Sequence, residues 1–383
     1  MNAAGFYEAW SSIPGDTIAR ALERARHAAA ADVNAALERI PADSDGFLAL
    51  ISPAADGMME RIERAARELT IQRFGRTVNL YIPLYLSNQC VNDCAYCWFG
   101  SSRAIGRRTL TLVEAEAEGL RLREEGYRSV LLVAGEDPRH VTADYLADCA
   151  RLMKRLGFAF VGIETQTFAV EDYARLASAG VDGVTVYQET YDPRRYRQLH
   201  PKGPKRDYAW RMDAANRAAR AGIRSVGVGA LLGLGDFYHD ALALATHVKH
   251  LYRRHWQTSV SISFPRLHAA PEHYAGGQEV TDAMLTRLIM AMRLTFPDAM
   301  LTLSTREAAP LRDRLFGAGV NQVSAGSKTS PGAYTAQGAA AGEQFPVVDD
   351  RPPARVIESI RGHGLEWVFK DWDATLLPVG KEG

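Results

Sequence analysis

Leu80-Tyr81-Ile82-Pro83-Leu84-Tyr85-Leu86-Ser87-Asn88-Gln89-Cys90-Val91-Asn92-Asp93-Cys94-Ala95-Tyr96-Cys97 joins two signals in one stretch. An apolar run of strand length, 80–86, passes directly into a polar loop holding three cysteines spaced C-x3-C-x2-C. Three thiolates on so short a loop can reach three corners of an iron–sulfur cube, which normally takes four. The only other cysteine, Cys149, lies some fifty residues on in the amphipathic stretch Tyr145-Leu-Ala-Asp-Cys-Ala-Arg-Leu-Met, where it reads as core. A fourth iron without a protein ligand is open to a small molecule. Structural zinc fits less well, because it takes paired N or S ligands and no histidine lies between Gly46 and Arg139. A disulfide framework fails on length and cysteine density.

Outward from that strand the chain has a regular rhythm. Residues 1–76 are rich in Ala, Arg and Glu, with apolar positions three and four apart and a break at Pro41, and read as a helical extension. From 77 to 335 short apolar or alternating runs alternate with helix-length amphipathic ones. Strands are expected at 80–86, 129–134, 158–163, 183–187, 225–232, 259–264, 300–304 and 322–325. Helices are expected between them at 112–125, 143–156, 170–179, 207–221, 239–254, 282–295 and 310–316. Gly157, Gly180 and Gly222 stand just past three of these, where a left-handed helix end is expected. Eight units over this length predict an α/β fold, a (β/α)8 barrel of the TIM type, with a doubly wound sheet as the alternative. Residues 336–383 are expected to be a short C-terminal tail packing on the barrel. The Gly-, Ala- and Pro-rich segment after Thr329 makes a last helix doubtful.

Barrel chemistry gathers at the C-terminal strand ends, and here every strand exits into polar residues. The exits are Ser87-Asn88 before the cysteines, Gly135-Glu136-Asp137, Glu164-Thr165-Gln166, Tyr187-Gln188-Glu189-Thr190, Gly233-Leu-Gly-Asp236, Pro265-Arg266, Ser304-Thr305-Arg306-Glu307 and Ser324-Ala-Gly-Ser327-Lys328. Amino and carboxylate groups of a methionine-like ligand could chelate an open iron. Glu136 could take hydrogen bonds from its ammonium group, with Gly135 letting the backbone come close. Arg266 and Arg306 offer planar forks for carboxylates, their rival reading being an ion pair between loops.

Of the 383 residues 47% are hydrophobic and 23% charged, enough for a large core, and 45 basic residues balance 45 acidic ones. That balance suggests neither a nucleic-acid nor an anionic-membrane surface. No apolar run reaches the length of a membrane span, and Met1-Asn-Ala-Ala-Gly-Phe-Tyr-Glu-Ala-Trp lacks a signal-peptide pattern. Unpaired cysteines fit a reducing cytoplasm.

The cysteine spacing, with Tyr96 before the last cysteine, resembles the hallmark of radical S-adenosylmethionine enzymes. Leu84-Tyr85-Leu86-Ser87-Asn88, Gly135-Glu136-Asp137-Pro138, Tyr187-Gln188-Glu189-Thr190-Tyr191, His200-Pro201-Lys202-Gly203-Pro204-Lys205, Ser263-Phe264-Pro265-Arg266-Leu267 and Ser304-Thr305-Arg306-Glu307 are similar to its aromatic amino-acid lyase branch. That branch holds 2-iminoacetate synthase (tyrosine lyase) of thiamine thiazole biosynthesis, the tyrosine lyase of hydrogenase maturation and a tryptophan lyase. The tail segments Glu343-Gln344-Phe345, Asp349-Asp350-Arg351 and Lys370-Asp371-Trp372-Asp373 look like 2-iminoacetate synthase, whereas Gly135-Glu-Asp-Pro and His200–Lys205 look closer to the other members. The maturation enzyme carries three further C-terminal cysteines. This chain has none after Cys149, so formation of carbon monoxide and cyanide is not expected.

The resemblance implies a [4Fe–4S] cluster on Cys90, Cys94 and Cys97, and S-adenosylmethionine held by Tyr96, Gly135, Glu136, Gln166, Tyr187 and Arg266. It implies that Arg306, with Ser304 and Ser324, holds the substrate carboxylate and that Tyr85 faces its amine, Tyr85 and Arg306 being the catalytic candidates. The implied reaction starts at the amino group of L-tyrosine, breaks Cα–Cβ and gives 2-iminoacetate and 4-cresol. The implied partners are a flavodoxin- or ferredoxin-type electron donor and thiazole synthase. Tryptophan is the competing substrate, and an electron carrier or cluster-based sensor the competing class.

Overall fold

The alternation within each strand decides which side faces where. In β1 (Thr77–Ser87) Leu80, Ile82, Leu84 and Leu86 are fully buried on one face, while Tyr81, Pro83 and Tyr85 line interior cavities on the other. β2 (Ser129–Ala134), β3 (Phe160–Glu164), β4 (Gly183–Glu189), β5 (Ser225–Ala230), β6 (Ser259–Ser263), β7 (Met300–Leu303) and β8 (Gln322–Ser324) follow the same rule. Val130, Leu132, Val161, Ile163, Val226, Val228, Leu301 and Leu303 form the buried outer face, against which helices such as Ala143–Arg155, Ala214–Arg220 and Phe237–Arg254 pack. The computed structural model describes residues 5–268, 270–271, 274, 276–335 and 341–369.

All pairings are parallel, in the order β2-β3-β4-β5-β6-β7-β8-β1, and β1 also pairs with β2, which closes an eight-stranded barrel. The expected (β/α)8 fold is present. Helix starts carry the caps that βα loops require. Thr111 and Glu114 make a reciprocal capping box, and Thr142, Asp236 and Thr281 accept from backbone N–H groups of the next turn. Gly157, Gly180 and Gly222 have φ of +88°, +103° and +86°, as a left-handed helix end needs.

Three features differ from the sequence expectation. The helix expected at 207–221 is broken at Asp213 into Tyr208–Met212 and Ala214–Arg220. The eighth helix, which the Gly-, Ala- and Pro-rich sequence after Thr329 makes doubtful, forms further on as Pro353–Gly362, with Val356 and Ile360 buried. A ninth strand, β9 (Glu366–Val368), pairs with Thr77–Asn79, the overhanging start of β1, on the edge away from β8. The tail motif Lys370-Asp371-Trp372-Asp373 lies outside the described residues. Among the described residues no helix is long and apolar enough to cross a membrane.

Barrel interiors are usually filled by branched aliphatic side chains. Here much of the inward set is polar or small: beside Leu131, Val133 and Met300, the residues Tyr81, Tyr85, Glu164, Thr185, Tyr187, Gly227, Ser261, Ser263, Thr302 and Ser324 line cavities along the axis. Gly229 leaves room for Tyr187, whose ring a Cβ there would meet at 2.9 Å. The interior is therefore a chamber rather than a packed core.

Candidate active site

Two strand ends are distorted where the chamber opens. Pairing shifts register between Tyr85 and Ser87 on β1 and between Tyr187 and Glu189 on β4, and such bulges re-aim side chains beside sites. Glu189 has φ of +71°, the only positive value at a non-glycine among the described residues, a strained conformation of the kind held at functional positions.

The cysteine loop is laid across the end of β2. Gly135 N–H donates to the Ser87 carbonyl (2.9 Å) and Val91 N–H to the Glu136 carbonyl (2.9 Å). A Cβ on Gly135 would stand 2.3 Å from the Gln89 carbonyl oxygen and 3.2 Å from the Cys90 Cβ. The close approach Gly135 permits is thus to the cysteine loop itself. Gly135→Ala is expected to push the loop off its seat at a cost of about 1–3 kcal/mol. Iron content and cluster absorbance after reconstitution should fall while far-UV dichroism stays native, and an undiminished cluster would contradict this packing.

Cys94 is buried, Cys90 and Cys97 partly so, and all three line one cavity with Tyr96, Phe99, Gly135 and Glu136. Burial pushes all three thiols up, Cys97 to about 11, while the Lys205 ammonium opposes the shift. Among the described residues no three His, Cys, Asp or Glu side chains gather closely enough for one ion. A cubane asks for something else, each thiolate taking a different iron of one cluster. Cys149 is fully buried in the helix Ala143–Arg155 with no part in this cavity.

A buried charge network frames the cavity. Glu136 pairs with Arg211 (2.7 Å) and accepts from the Asn92 amide (2.9 Å); Glu189 pairs with Lys205 (2.7 Å); Arg211 lies 3.6 Å from Glu189 and donates to the Tyr187 carbonyl (2.8 Å). Burial raises the Glu189 carboxyl, but Lys205 and Arg211 outweigh it and hold it below the usual carboxylate range. Asn92 also accepts from the Lys205 backbone N–H (2.9 Å), and Ala95 N–H donates to the Leu199 carbonyl (3.0 Å). The segment Leu199–Lys205 therefore clamps the cysteine loop. Lys205, Arg211, Glu189 and Asn92 were not among the expected site residues. Lys205 and Glu189 stand within motifs the sequence drew out; Arg211, mid-helix, gave no signal.

Besides Glu136, three expected cofactor residues are already engaged. Gln166 donates to the Val141 carbonyl (2.6 Å) and lines a neighbouring cleft, not the thiol cavity. Arg266 forks onto Glu307, donates to the Val280 carbonyl (2.8 Å) and meets Asp282 (2.8 Å), the inter-loop ion pair weighed against carboxylate binding; its neighbours Pro265 and Leu267 line the cavity instead. The Tyr96 ring lines the cavity, but its hydroxyl is 2.8 Å from His200 Nε2. Burial brings His200 down to about 3, so the ring is neutral, Nδ1–H donates to the Tyr196 carbonyl (2.7 Å), and Nε2 accepts from Tyr96.

Below the thiol cavity a second one, about 60 Å³, continues the chamber. Tyr85, Tyr187, Ser304, Arg306 and Ser324 all line it, so the structure brings the expected substrate residues together. The Arg306 guanidinium lies 3.4 Å over the Phe345 ring and has no hydrogen bond or ion pair among the described residues. The Tyr85 hydroxyl donates to Gln344 Oε1 (2.5 Å). Ser327 Oγ, in the same wall, is buried without a partner among the described residues.

Comparison with known proteins agrees with this architecture. The Radical SAM superfamily model matches residues 84–248, and that of the Biotin and Thiamin Synthesis associated domain 263–366. The chain is 41% identical over 372 residues to 2-iminoacetate synthase of Escherichia coli strain K12, covering 97% of each, and 40% identical, with the same coverage, to that of Salmonella typhimurium strain LT2. It superposes on HydG, a maturase of the [FeFe]-hydrogenase, with a TM-score of 0.87 at 29% identity, over 94% of this chain and 81% of that one. Membership of the superfamily implies a [4Fe–4S] cluster and S-adenosylmethionine. The donor set fits both, with three thiols on one loop and a chamber lined by paired and unpaired polar groups beneath them. A full-length match of this order leaves one conclusion: the chain belongs to the radical S-adenosylmethionine superfamily and, within it, to the 2-iminoacetate synthase family.

Proposed function

We propose that this protein cleaves the Cα–Cβ bond of L-tyrosine to 2-iminoacetate and 4-cresol, with S-adenosylmethionine becoming methionine and 5′-deoxyadenosine, in the service of thiamine thiazole biosynthesis. The observation that carries this is the 41% identity to 2-iminoacetate synthase across 97% of both chains. Cys90, Cys94 and Cys97 would hold the cluster, with S-adenosylmethionine bound beside it. Gly135, Glu136, the Tyr96 ring and Tyr187 border that cofactor, and Gln166 and Arg266 support the walls from behind. When bound, the cluster and S-adenosylmethionine would supply the one-electron chemistry that begins at the substrate's amino group.

The chain's own residues do the rest by positioning. Arg306 takes the substrate carboxylate, with Ser304 and Ser324 beside it and Tyr85 facing the amine, and Phe345 closes the chamber against water, since a primary carbon radical abstracts whatever hydrogen is nearest. Electrons come from a flavodoxin- or ferredoxin-type donor, and the labile imine passes to thiazole synthase in the cytoplasm. The test is to incubate reconstituted, reduced protein with tyrosine or tryptophan and identify the products. 4-Cresol with one 5′-deoxyadenosine per turnover is expected from tyrosine; an indole product from tryptophan with no cresol would overturn the reading.

A further inference from the structure

Six residues line both the thiol cavity and the one beneath it: Val133, Glu164, Tyr187, Pro265, Arg306 and Phe345. Only two of them are charged, and they are of opposite sign. Every other charged group of the thiol cavity is already paired, Glu136 with Arg211 and Glu189 with Lys205. Glu164 makes no ion pair among the described residues, and the Tyr187 hydroxyl is its polar neighbour. The boundary thus presents one unpaired carboxylate and one unpaired guanidinium, the complement of a zwitterion's two head groups.

Resting on the function proposed above, we propose that Glu164 is the receptor for the substrate's α-ammonium group, opposite Arg306, which receives its carboxylate. Strand register supports the placement. Tyr85, Val133 and Glu164 are paired residues on β1, β2 and β3, hence one inward row, and Thr185 on β4 completes the floor beneath the cysteine loop. An amino acid held there has its nitrogen beside the thiol cavity and its side chain directed into the chamber of Tyr81, Ser263 and Thr302. A phenol receptor belongs deeper in that chamber.

The groups facing Glu164 are Tyr187 and Glu189 of β4, Arg306 after β7 and Lys205 after β4, with Tyr81 and Tyr85 of β1 feeling its charge. Burial raises the carboxyl to about 7; the Tyr187 hydrogen bond, Arg306 and Lys205 counter part of that rise. It is ionised above that value and neutral below it, while the ammonium stays charged on both sides, so attraction to an ammonium grows as pH rises through 7.

The experiment measures equilibrium binding of L-tyrosine and of its desamino analogue, 3-(4-hydroxyphenyl)propionate, to holoenzyme with S-adenosylmethionine. In wild type the ammonium should strengthen binding by about tenfold or more, as hydrogen bonds to charged groups do. In Glu164→Gln, qualified by native dichroism and full cluster absorbance, the two ligands should bind within about threefold of each other, while the preference for tyrosine over phenylalanine is kept. Loss of the phenylalanine discrimination with the ammonium preference intact puts Glu164 on the phenol and overturns the proposal. Unchanged tyrosine binding with weakened S-adenosylmethionine puts it on the cofactor and overturns it too. If the variant does not fold, wild type alone decides: the tyrosine preference over the desamino compound must decline between pH 8 and 6, and a flat ratio refutes the assignment. A wild type that binds neither ligand fails the tyrosine reading instead.

Discussion

Cys94→Ala protein, rebuilt anaerobically with iron and sulfide, is expected to show no [4Fe–4S] absorbance and no 5′-deoxyadenosine above background. Cys94 is the buried member of the trio, packed with Tyr96, Leu199, Leu231 and Leu234. Its replacement removes one of three thiolates, and no fourth cysteine lines the cavity to take its place. The loop should not collapse with it. Ala95 stays bonded to the Leu199 carbonyl, Ser101 N–H to the Asn92 carbonyl (2.8 Å), and Asn92 to Glu136 and Lys205. Dichroism and unfolding should therefore remain close to wild type, and the loss is chemical. Cys149→Ala provides the contrast. It lies fully buried on the helix Ala143–Arg155, so its replacement should lower stability by about 1 kcal/mol and leave cluster and turnover untouched. A Cys94→Ala enzyme with intact absorbance and product formation would remove the basis for the whole site.

Much of this architecture is legible in the residues. Each of the eight strands is bounded by a helix-length amphipathic run, and their polar exits mark the end at which the cysteine loop sits. What an exit does not disclose is parity. Pro265 and Leu267 face the cavity and Arg266 faces Glu307, so one residue's displacement turned an expected carboxylate fork into a structural ion pair. Gln166, two residues past inward-facing Glu164, is carried beyond the strand and spent on the Val141 carbonyl. Glu164 itself was visible only as a polar exit, because nothing local says that it alone among the acids here goes unpaired. Arg211 lay hidden for another reason. It meets Glu136 across 75 positions of sequence, and no helical periodicity reports a partner so far away. The eighth helix and β9 follow a Gly/Ala-rich stretch that reads as an ending, and only the open edge at Thr77–Asn79 gives β9 a place to pair.

Arg306→Ala is expected to raise the KM for tyrosine by roughly thirtyfold or more, the scale of about 2–5 kcal/mol for removing one partner of a desolvated charge pair. The structural side of the substitution should be mild, since the guanidinium makes no ion pair or hydrogen bond among the described residues and rests on Phe345 alone. Its loss leaves the protein folded but the substrate carboxylate unmatched. Cleavage of S-adenosylmethionine in the absence of productive turnover should persist, because the cysteines, Glu136 and Arg211 are unaffected. Arg306→Lys separates charge from shape: an ammonium keeps the sign but loses the planar stack on Phe345 and the two-pronged grip, so an intermediate KM is expected. A second readout follows from electrostatics. Arg306 is one of the groups that hold the Glu164 carboxyl down near 7; without it that carboxyl rises further, and the acid limb of tyrosine binding should move to higher pH. Normal tyrosine turnover in Arg306→Ala, with an unshifted pH profile, would take the carboxylate role away from this residue and leave the zwitterion without its anchor.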